Sequence, residues 1–391
     1  MKAVFVCAPV RTPILKFGGA FKNMLPSDLA VWPVKEVLKR TGIDPANLDD
    51  VIMGNCFMRT DDINVARCTL LKAGIPVHVP GVTIQRQCSS SMQALVYAAQ
   101  QIQTGSMEMV MAVGAEVMSS CVYALKDARW GKRLQHGQMT DTLWEGLSDP
   151  LGGFMMGITA ENLAEEFSIS REEQDVIALR SNNNAARATK EGLFRDEIVP
   201  VVLKERKKEI IIDRDDHFRD DLTMEGLAAL STAFKPGGTV TAGNASGIND
   251  GAAAALICGE DAVKRYNLKP VARLVSHAVA AVEPERMGYG PVPSSKKALE
   301  RAGLSLADVG LVELNEAFAA QYLACEKGLE LNRDITNVNG SGVGLGHPVG
   351  ATGLRIIVSL TYEMQRRQVK YGMATLCVGG GMGKTTIFER V

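Results

Sequence analysis

Residues Val82–Gly105 read VTIQRQCSSSMQALVYAAQQIQTG, and the meaning of this stretch decides how the rest of the chain is arranged. Val82–Ile84 is a short extended run. Behind Cys88, the apolar residues Met92, Leu95, Val96, Ala99 and Ile102 recur at helical spacing. Ser89–Ser91 offer N-terminal capping chemistry and Gly105 a C-terminal stop. Cys88 is thereby placed at the positive end of a buried helix, where free N–H groups and the helix dipole favour a thiolate and lower a thiol pKa. The same amides suit an oxyanion. The plain alternative is a small buried apolar residue, which is what most intracellular cysteines are.

Outward from this stretch the texture is layered α/β. Lys2–Ala8 and Val51–Cys56 read as buried strands, Pro26–Thr41 as the helix between them, Asn64–Ala73 as a further helix and Glu108–Gly114 as another strand. From Glu116 to Ala245 the composition turns charged and glycine-containing over a length too great for an ordinary connection, so it is a folded insertion. Helices are expected there at Gly157–Phe167, Arg171–Ala188 and Leu222–Leu230, and short strands at Ile198–Leu203 and Glu209–Ile212. Its charged runs KERKKE (204–209) and DRDDHFRDD (213–221) are expected to face solvent, with one basic residue free to meet a ligand phosphate. After the small-residue run GAAAALIC, Arg273–Ala281, Leu311–Leu314 and Tyr371–Val378 read as strands, with helices at Pro293–Ala302, Glu316–Glu326 and Ala351–Gln365. The second half thus repeats the strand–helix–strand order of the first.

The chain of 391 residues is long enough for two or three units around large cores, and its formal charge of -1 argues against a general nucleic-acid binder. No stretch approaches the apolar length of a membrane span, and MKAVFVCAPVRTP lacks a sustained signal-peptide core. The eight cysteines are scattered without a CxxC, which suits a reducing cytoplasm, and the five histidines form no HExxH or zinc spacing. No metal is expected.

Chemistry-bearing residues gather in three late segments: VELNEAFAA (312–320), GSGVGLGHPVGATG (340–353) and CVGGGMG (377–383). Glycines around His347 remove bulk and let a substrate approach the ring. A histidine able to take a thiol proton turns a cysteine such as Cys88 into a nucleophile, and a second thiol, Cys377, suits proton transfer to carbon. His78, His136, His217 and His277 are left as structural or surface residues. GGGMGKTT invites comparison with a phosphate-binding loop, but Val378 stands where the first glycine of GxxxxGK[ST] is required.

Together these segments resemble the thiolase family, in its acetyl-CoA acetyltransferase and 3-ketoacyl-CoA thiolase branch, along essentially the whole chain. Cys88, NEAFA (315–319), GHPVGATG (346–353) and CVGGG (377–381) occur in the family order, supported by MGITAEN (156–162) and AGNASGINDGAA (242–253). The resemblance implies duplicated layered α/β domains with helices buried between them. An N-terminal domain would occupy 1–118 and return over 248–268, a loop domain covering coenzyme A would span 119–247, and a C-terminal domain would span 269–391. It implies Cys88 as the acylated nucleophile, His347 as its base and Cys377 as the acid and base at carbon. His347 and a water held by Asn315 would serve an enolate oxygen, and the backbone N–H groups of Cys88 and Gly379 would form a second oxyanion site. Ser246 would lie by the pantetheine arm and Arg219 by the nucleotide end. Coenzyme A and acyl-CoA enter as substrates, with no permanently bound cofactor. HGQM (136–139) falls where many relatives place a tetramer-forming loop, so a homodimer or homotetramer is implied.

Departures from the family pattern bear on substrate. QRQCSSS stands where biosynthetic members often have NRxCGSG, and Met155 precedes MGITAEN where many small-substrate members have histidine. A bulky, branched, dicarboxylic or aromatic acyl group is therefore expected, against the alternative of an enzyme making only acetoacetyl-CoA. A second alternative is a noncatalytic or partner-dependent acyl-CoA-binding subunit, the latter assisted by an auxiliary protein.

Overall fold

The computed structural model describes every residue except Met1, Arg206 and Lys207. Two members of the KERKKE run therefore lie outside the described residues. The strands are β1 (Val4–Arg11), β2 (Leu15–Lys16), β3 (Asp50–Gly54), β4 (Gly81–Ile84), β5 (Met109–Val117), β6 (Tyr123–Ala124), β7 (Thr140–Asp141), β8 (Val201–Glu205), β9 (Lys208–Ile212), β10 (Asn249–Gly259), β11 (Pro270–Ala281), β12 (Leu311–Leu314), β13 (Tyr371–Val378) and β14 (Met382–Arg390). All but the β6–β7 and β8–β9 hairpins join one sheet, ordered β12-β13-β14-β11-β1-β10-β5-β3-β4, with β2 paired to β10.

The two halves of this sheet use the same grammar. In the first, β3 and β5 run parallel, β5 pairs antiparallel with β10, and β10 pairs antiparallel with β1. In the second, β12 and β13 run parallel, β13 pairs antiparallel with β14, and β14 pairs antiparallel with β11. The halves meet where β1 pairs with β11. Duplication, faint in the letters, is plain in the strand order.

On the sheet lie two helices buried along most of their surface, Ser90–Gln103 and Val349–Arg367, which pack against each other. Met92, Leu95 and Ile102 from the first and Leu354, Ile357 and Leu360 from the second share one apolar core. Burying each such side chain contributes about 1.5–3 kcal/mol. Close approach depends on missing side chains: a Cβ at Gly353 would come 2.7 Å from Met92 Cβ, and one at Gly114 would come 2.3 Å from Ser91 Cβ. Ser91 Oγ then accepts the Leu354 N–H at 2.8 Å, tying the two helices together. These helices begin at Cys88 and at His347-Pro348, so their packing brings two remote parts of the sequence to one place.

Within the insertion, one charged run does not behave as a solvated face. Asp215 is buried, and its carboxylate takes both terminal nitrogens of Arg11 at 2.7 and 2.9 Å, while Glu197 takes Arg11 Nε at 2.7 Å. Removing one partner would leave an uncompensated buried charge, a loss of about 3–5 kcal/mol. This cluster fixes the following residues, His217 and Arg219, beside the sheet.

Candidate active site

Cys88 follows β4 across a tight loop. The serines behind it do not cap the helix as expected: Ser89 Oγ donates to the Arg86 carbonyl at 3.0 Å, and Ser90 Oγ donates to the Gln87 carbonyl at 2.6 Å while accepting the Arg86 N–H at 2.9 Å. They tie the nucleophile loop to itself. Gln87, just before the cysteine, holds a left-handed φ of 45°.

Cys88, His347, Cys377, Gly379 and Ser246 all border one cavity of 490 Å³. Most of the remaining wall is apolar, including Phe57, Met118, Leu143, Leu147, Met155 and Phe318. Arg219 borders a second cavity of 570 Å³, whose wall shares Phe17, Ala242, Ala245, Gly247 and Ile248 with the first. The two are therefore inner and outer parts of one recess, apolar at the inner end and carrying Lys16, Asp216, His217 and Arg219 at the outer. Asn315 is fully buried behind the inner wall, with Nδ2 3.5 Å from His347 Nδ1 and an Oδ1 that has no protein partner.

His347 is held from three sides. Its N–H donates to Asn249 Oδ1 at 2.9 Å, its Nδ1 lies 2.6 Å from Thr352 Oγ1, and its Nε2 is buried without a protein partner. Burial, with the Arg355 guanidinium beside it, pushes the imidazole down to about 3, so the ring is neutral at physiological pH. Burial also pushes the Cys88 thiol up to about 11, although the backbone N–H groups of Gly379 and of Cys88 itself favour the thiolate. The expected lowering by the helix end is thus outweighed by desolvation. Cys377 is fully buried and held well above the ordinary thiol range for the same reason. At physiological pH both sulfurs therefore rest as thiols and the ring as a neutral acceptor.

Three contributors have no obvious signal in a single sequence. Thr352 is legible only as a polar residue early in an apolar helix. Asn249 belongs to a Gly/Asn-rich turn, and its side chain reaches both His347 N and the Leu15 carbonyl. Glu116 closes β5 and is fully buried. Its carboxylate accepts N–H groups from Cys56 (2.9 Å), Phe57 (3.1 Å), Gly350 (2.9 Å) and Asn55 Nδ2 (2.8 Å). Among the described residues no group of three or more His, Cys, Asp or Glu is arranged to hold a metal ion. No helix among them is long and apolar enough to cross a membrane.

Two family models match the chain, "Thiolase, N-terminal domain" over residues 4–261 and "Thiolase, C-terminal domain" over residues 268–390. The sequence is 45% identical to an acetyl-CoA acetyltransferase of Syntrophomonas wolfei, covering 99% of each chain. The fold is similar to the crystal structure of the Bacillus anthracis acetyl-CoA acetyltransferase, with 54% identity, a TM-score of 0.99 and coverage of 100% of this chain and 99% of that one. It is also similar to human mitochondrial 3-ketoacyl-CoA thiolase in complex with CoA, with 43% identity, a TM-score of 0.96 and coverage of 100% and 98%.

Proposed function

This chain belongs to the thiolase family, and from that premise we propose that it cleaves a 3-ketoacyl-CoA reversibly with coenzyme A, through an acyl group carried on Cys88. The chemistry is coenzyme A-dependent acyl transfer, and the enzyme is an acyltransferase. The observation that carries the residue assignment is that the Cys88 and Cys377 thiols, one neutral imidazole and Gly379 border a single cavity.

Cys88 Sγ attacks the 3-keto carbon as its proton passes to His347 Nε2. The resulting alkoxide sits against the N–H groups of Cys88 and Gly379, which stabilise charge that the substrate lacks. When the Cα–Cβ bond breaks, the enolate oxygen of acetyl-CoA is held by protonated His347 and by a water on Asn315. Cys377 gives its proton to the enolate carbon, and acetyl-CoA leaves. Free coenzyme A then gives its thiol proton to the Cys377 thiolate and attacks the thioester. Cys88 is expelled and recovers its proton from His347. Condensation runs the same path backwards, and metabolite concentrations decide between the directions.

Substrate enters with its thioester at the apolar end and its nucleotide toward Arg219, with Ser246 along the pantetheine arm. For the acyl group, the wall supports a neutral, bulky, branched or aromatic chain. Among the described residues this wall holds no Lys or Arg and one carboxyl side chain, Asp141, so the dicarboxylic option has the least physical support. Turnover of acetoacetyl-CoA alone, the second reading, is supported by the similarity to chains of that printed name. Solvent exposures of 89% at Trp130, 82% at Leu134 and 69% at Met139 support assembly as a homodimer or homotetramer through this segment. Eight free cysteines support a reducing, cytoplasmic setting.

Intact-protein mass after exposure to a panel of 3-ketoacyl-CoAs, read with acetyl-CoA release, tests the assignment. An acyl adduct that is absent from Cys88→Ala is expected. No adduct and no release from the isolated chain would instead favour the partner-dependent subunit.

A further inference from the structure

Gln87 and Cys56 have no part in the steps above, yet they stand beside the reacting sulfur. Gln87 keeps φ at 45°, a left-handed conformation that is unfavourable for a non-glycine residue and persists only where the surroundings enforce it. Two restraints act on its main chain: the Ser90 N–H and Oγ both donate to its carbonyl, at 3.1 and 2.6 Å. A third acts on its side chain. The Cys56 thiol donates to Gln87 Oε1 at 3.4 Å, and Gln85 Nε2 approaches the same sulfur from the other side at 4.0 Å.

The Gln87 side chain is braced against the turn that follows Cys377. A Cβ built on Gly379 would lie 3.2 Å from Gln87 Cδ and 3.3 Å from Gln87 Cγ, so the carboxamide lies directly against this glycine. Cys56 is itself anchored, because its N–H donates to buried Glu116, which also holds the Gly350 N–H at the start of the His347 helix. A continuous bracket therefore runs from Glu116 through Cys56 and Gln87 to Gly379, from the first half of the fold to the second. Its far end is one of the two amides aimed at the Cys88 sulfur.

We propose that Gln87, braced by the Cys56 thiol, is a positioning residue for the oxyanion site formed by the amides of Cys88 and Gly379. The inference rests on the acyl-Cys88 reading of the site. A thiol at position 56 acts here as a hydrogen-bond donor and undergoes no covalent change. Its contribution falls on the tetrahedral intermediates of both half-reactions, because both place an oxygen in the same site.

The test compares Cys56→Ala, Cys56→Ser, Gln87→Leu and the unaltered protein, with acetoacetyl-CoA and coenzyme A as probes in steady state and acetyl-CoA as the acyl donor for single-turnover acylation of Cys88. A misplaced donor should lower kcat about tenfold, less than outright loss of an oxyanion-hole donor, while KM stays within about twofold. Acylation should slow in parallel, and Cys56→Ser, which keeps a donor, should recover most of the loss. Should Cys56→Ala fold poorly, Gln87→Leu alone decides. Unchanged kcat in the folded variants, or a change confined to KM, would overturn the proposal and make the pair part of the acyl-binding wall. If the unaltered protein neither acylates nor turns over, the acyl-Cys88 reading fails instead.

Discussion

His347 Nδ1 lies 2.6 Å from Thr352 Oγ1, and that hydroxyl donates its own proton to the Pro348 carbonyl at 3.0 Å. With the hydroxyl proton given to Pro348, the short contact to Thr352 favours a ring that donates from Nδ1 over the longer 3.5 Å approach of Asn315 Nδ2, and such a ring keeps the Nε2 lone pair as the acceptor. The tautomer that the proposed proton transfer needs is thus favoured by a residue one helical turn beyond Pro348. Thr352→Val keeps the shape and removes the acceptor. It is expected to lower kcat about tenfold or more by releasing the ring to the other tautomer, with the melting temperature little changed. Steady-state rates alongside thermal unfolding check this, and an unaffected kcat would show that Thr352 does not set the tautomer.

The two thiols should separate in single-turnover experiments. Cys88→Ala leaves no acceptor for the acyl group and should give no covalent adduct from any CoA thioester. Cys377→Ala keeps the nucleophile, the base and both amides, so acetyl-CoA should still acetylate Cys88 while condensation and α-proton exchange fall by about 10²-fold or more. Intact mass reports the first step and deuterium loss from labelled acetyl-CoA reports the second. Condensation at an undiminished rate in Cys377→Ala would remove its assigned role.

How much of this was legible in the letters follows from which forces act locally. Pro26–Thr41, Leu311–Leu314 and Tyr371–Val378 match their expected bounds, because apolar periodicity and terminal glycines are local signals. β14 was not anticipated. The glycine turn before it gives GGGMGKTT (379–386) the look of a phosphate loop, and Lys384 and its polar neighbours hide a strand buried on both faces. Asp215 turned inward because Arg11, far away in sequence, needed a carboxylate. The order of motifs brought Cys88, His347 and Cys377 to notice, but the rise of both thiol pKa values depends on burial. Burial is a property of the assembled layers.

Lys384 supplies a test of that burial through pH. It is fully buried, with Nζ donating to Gln93 Oε1 at 2.8 Å, and desolvation with Arg86 nearby pushes it down to about 7. Its folded pKa lies below the ordinary lysine value of 10.5, so between these pH values the unfolded chain binds the extra proton. Stability from this residue is therefore fully present above the upper value and is lost as pH falls toward 7. In Lys384→Met, the rise of unfolding free energy between pH 7 and 10.5 should be shallower than in the unaltered protein. Denaturant unfolding across this range measures the difference, and parallel curves would mean that Lys384 stays charged in the fold.

Arg219 and Ser246 should be distinguishable by shortening the substrate. Arg219 borders only the outer cavity, whereas Ser246 borders the inner one. Arg219→Ala is expected to raise KM for coenzyme A several-fold and leave KM for pantetheine almost unchanged, since pantetheine lacks the phosphates that a guanidinium would meet. Ser246→Ala should weaken both. Equal losses with the two thiols in Arg219→Ala would place the nucleotide elsewhere.

The proposed acyl preference is tested at Met155, whose flexible thioether borders the inner cavity with its Sδ 3.0 Å from Ser148 Oγ, a hydroxyl shared with the Trp144 carbonyl at 2.9 Å. This contact holds an otherwise adaptable side chain to one part of the wall. Histidine at 155 would add a ring that must keep its polar atoms hydrated or bonded, a poor neighbour for a long apolar chain. Met155→His is therefore expected to lower kcat/KM for bulky or aromatic 3-ketoacyl-CoAs about tenfold relative to acetoacetyl-CoA, the size of effect that one pocket contact can exert. The measurement is the ratio of kcat/KM across the panel, which cancels any general loss of activity. A ratio that does not move, or one that already favours acetoacetyl-CoA strongly in the unaltered protein, would leave the wall's apolar character without a role in choosing substrate.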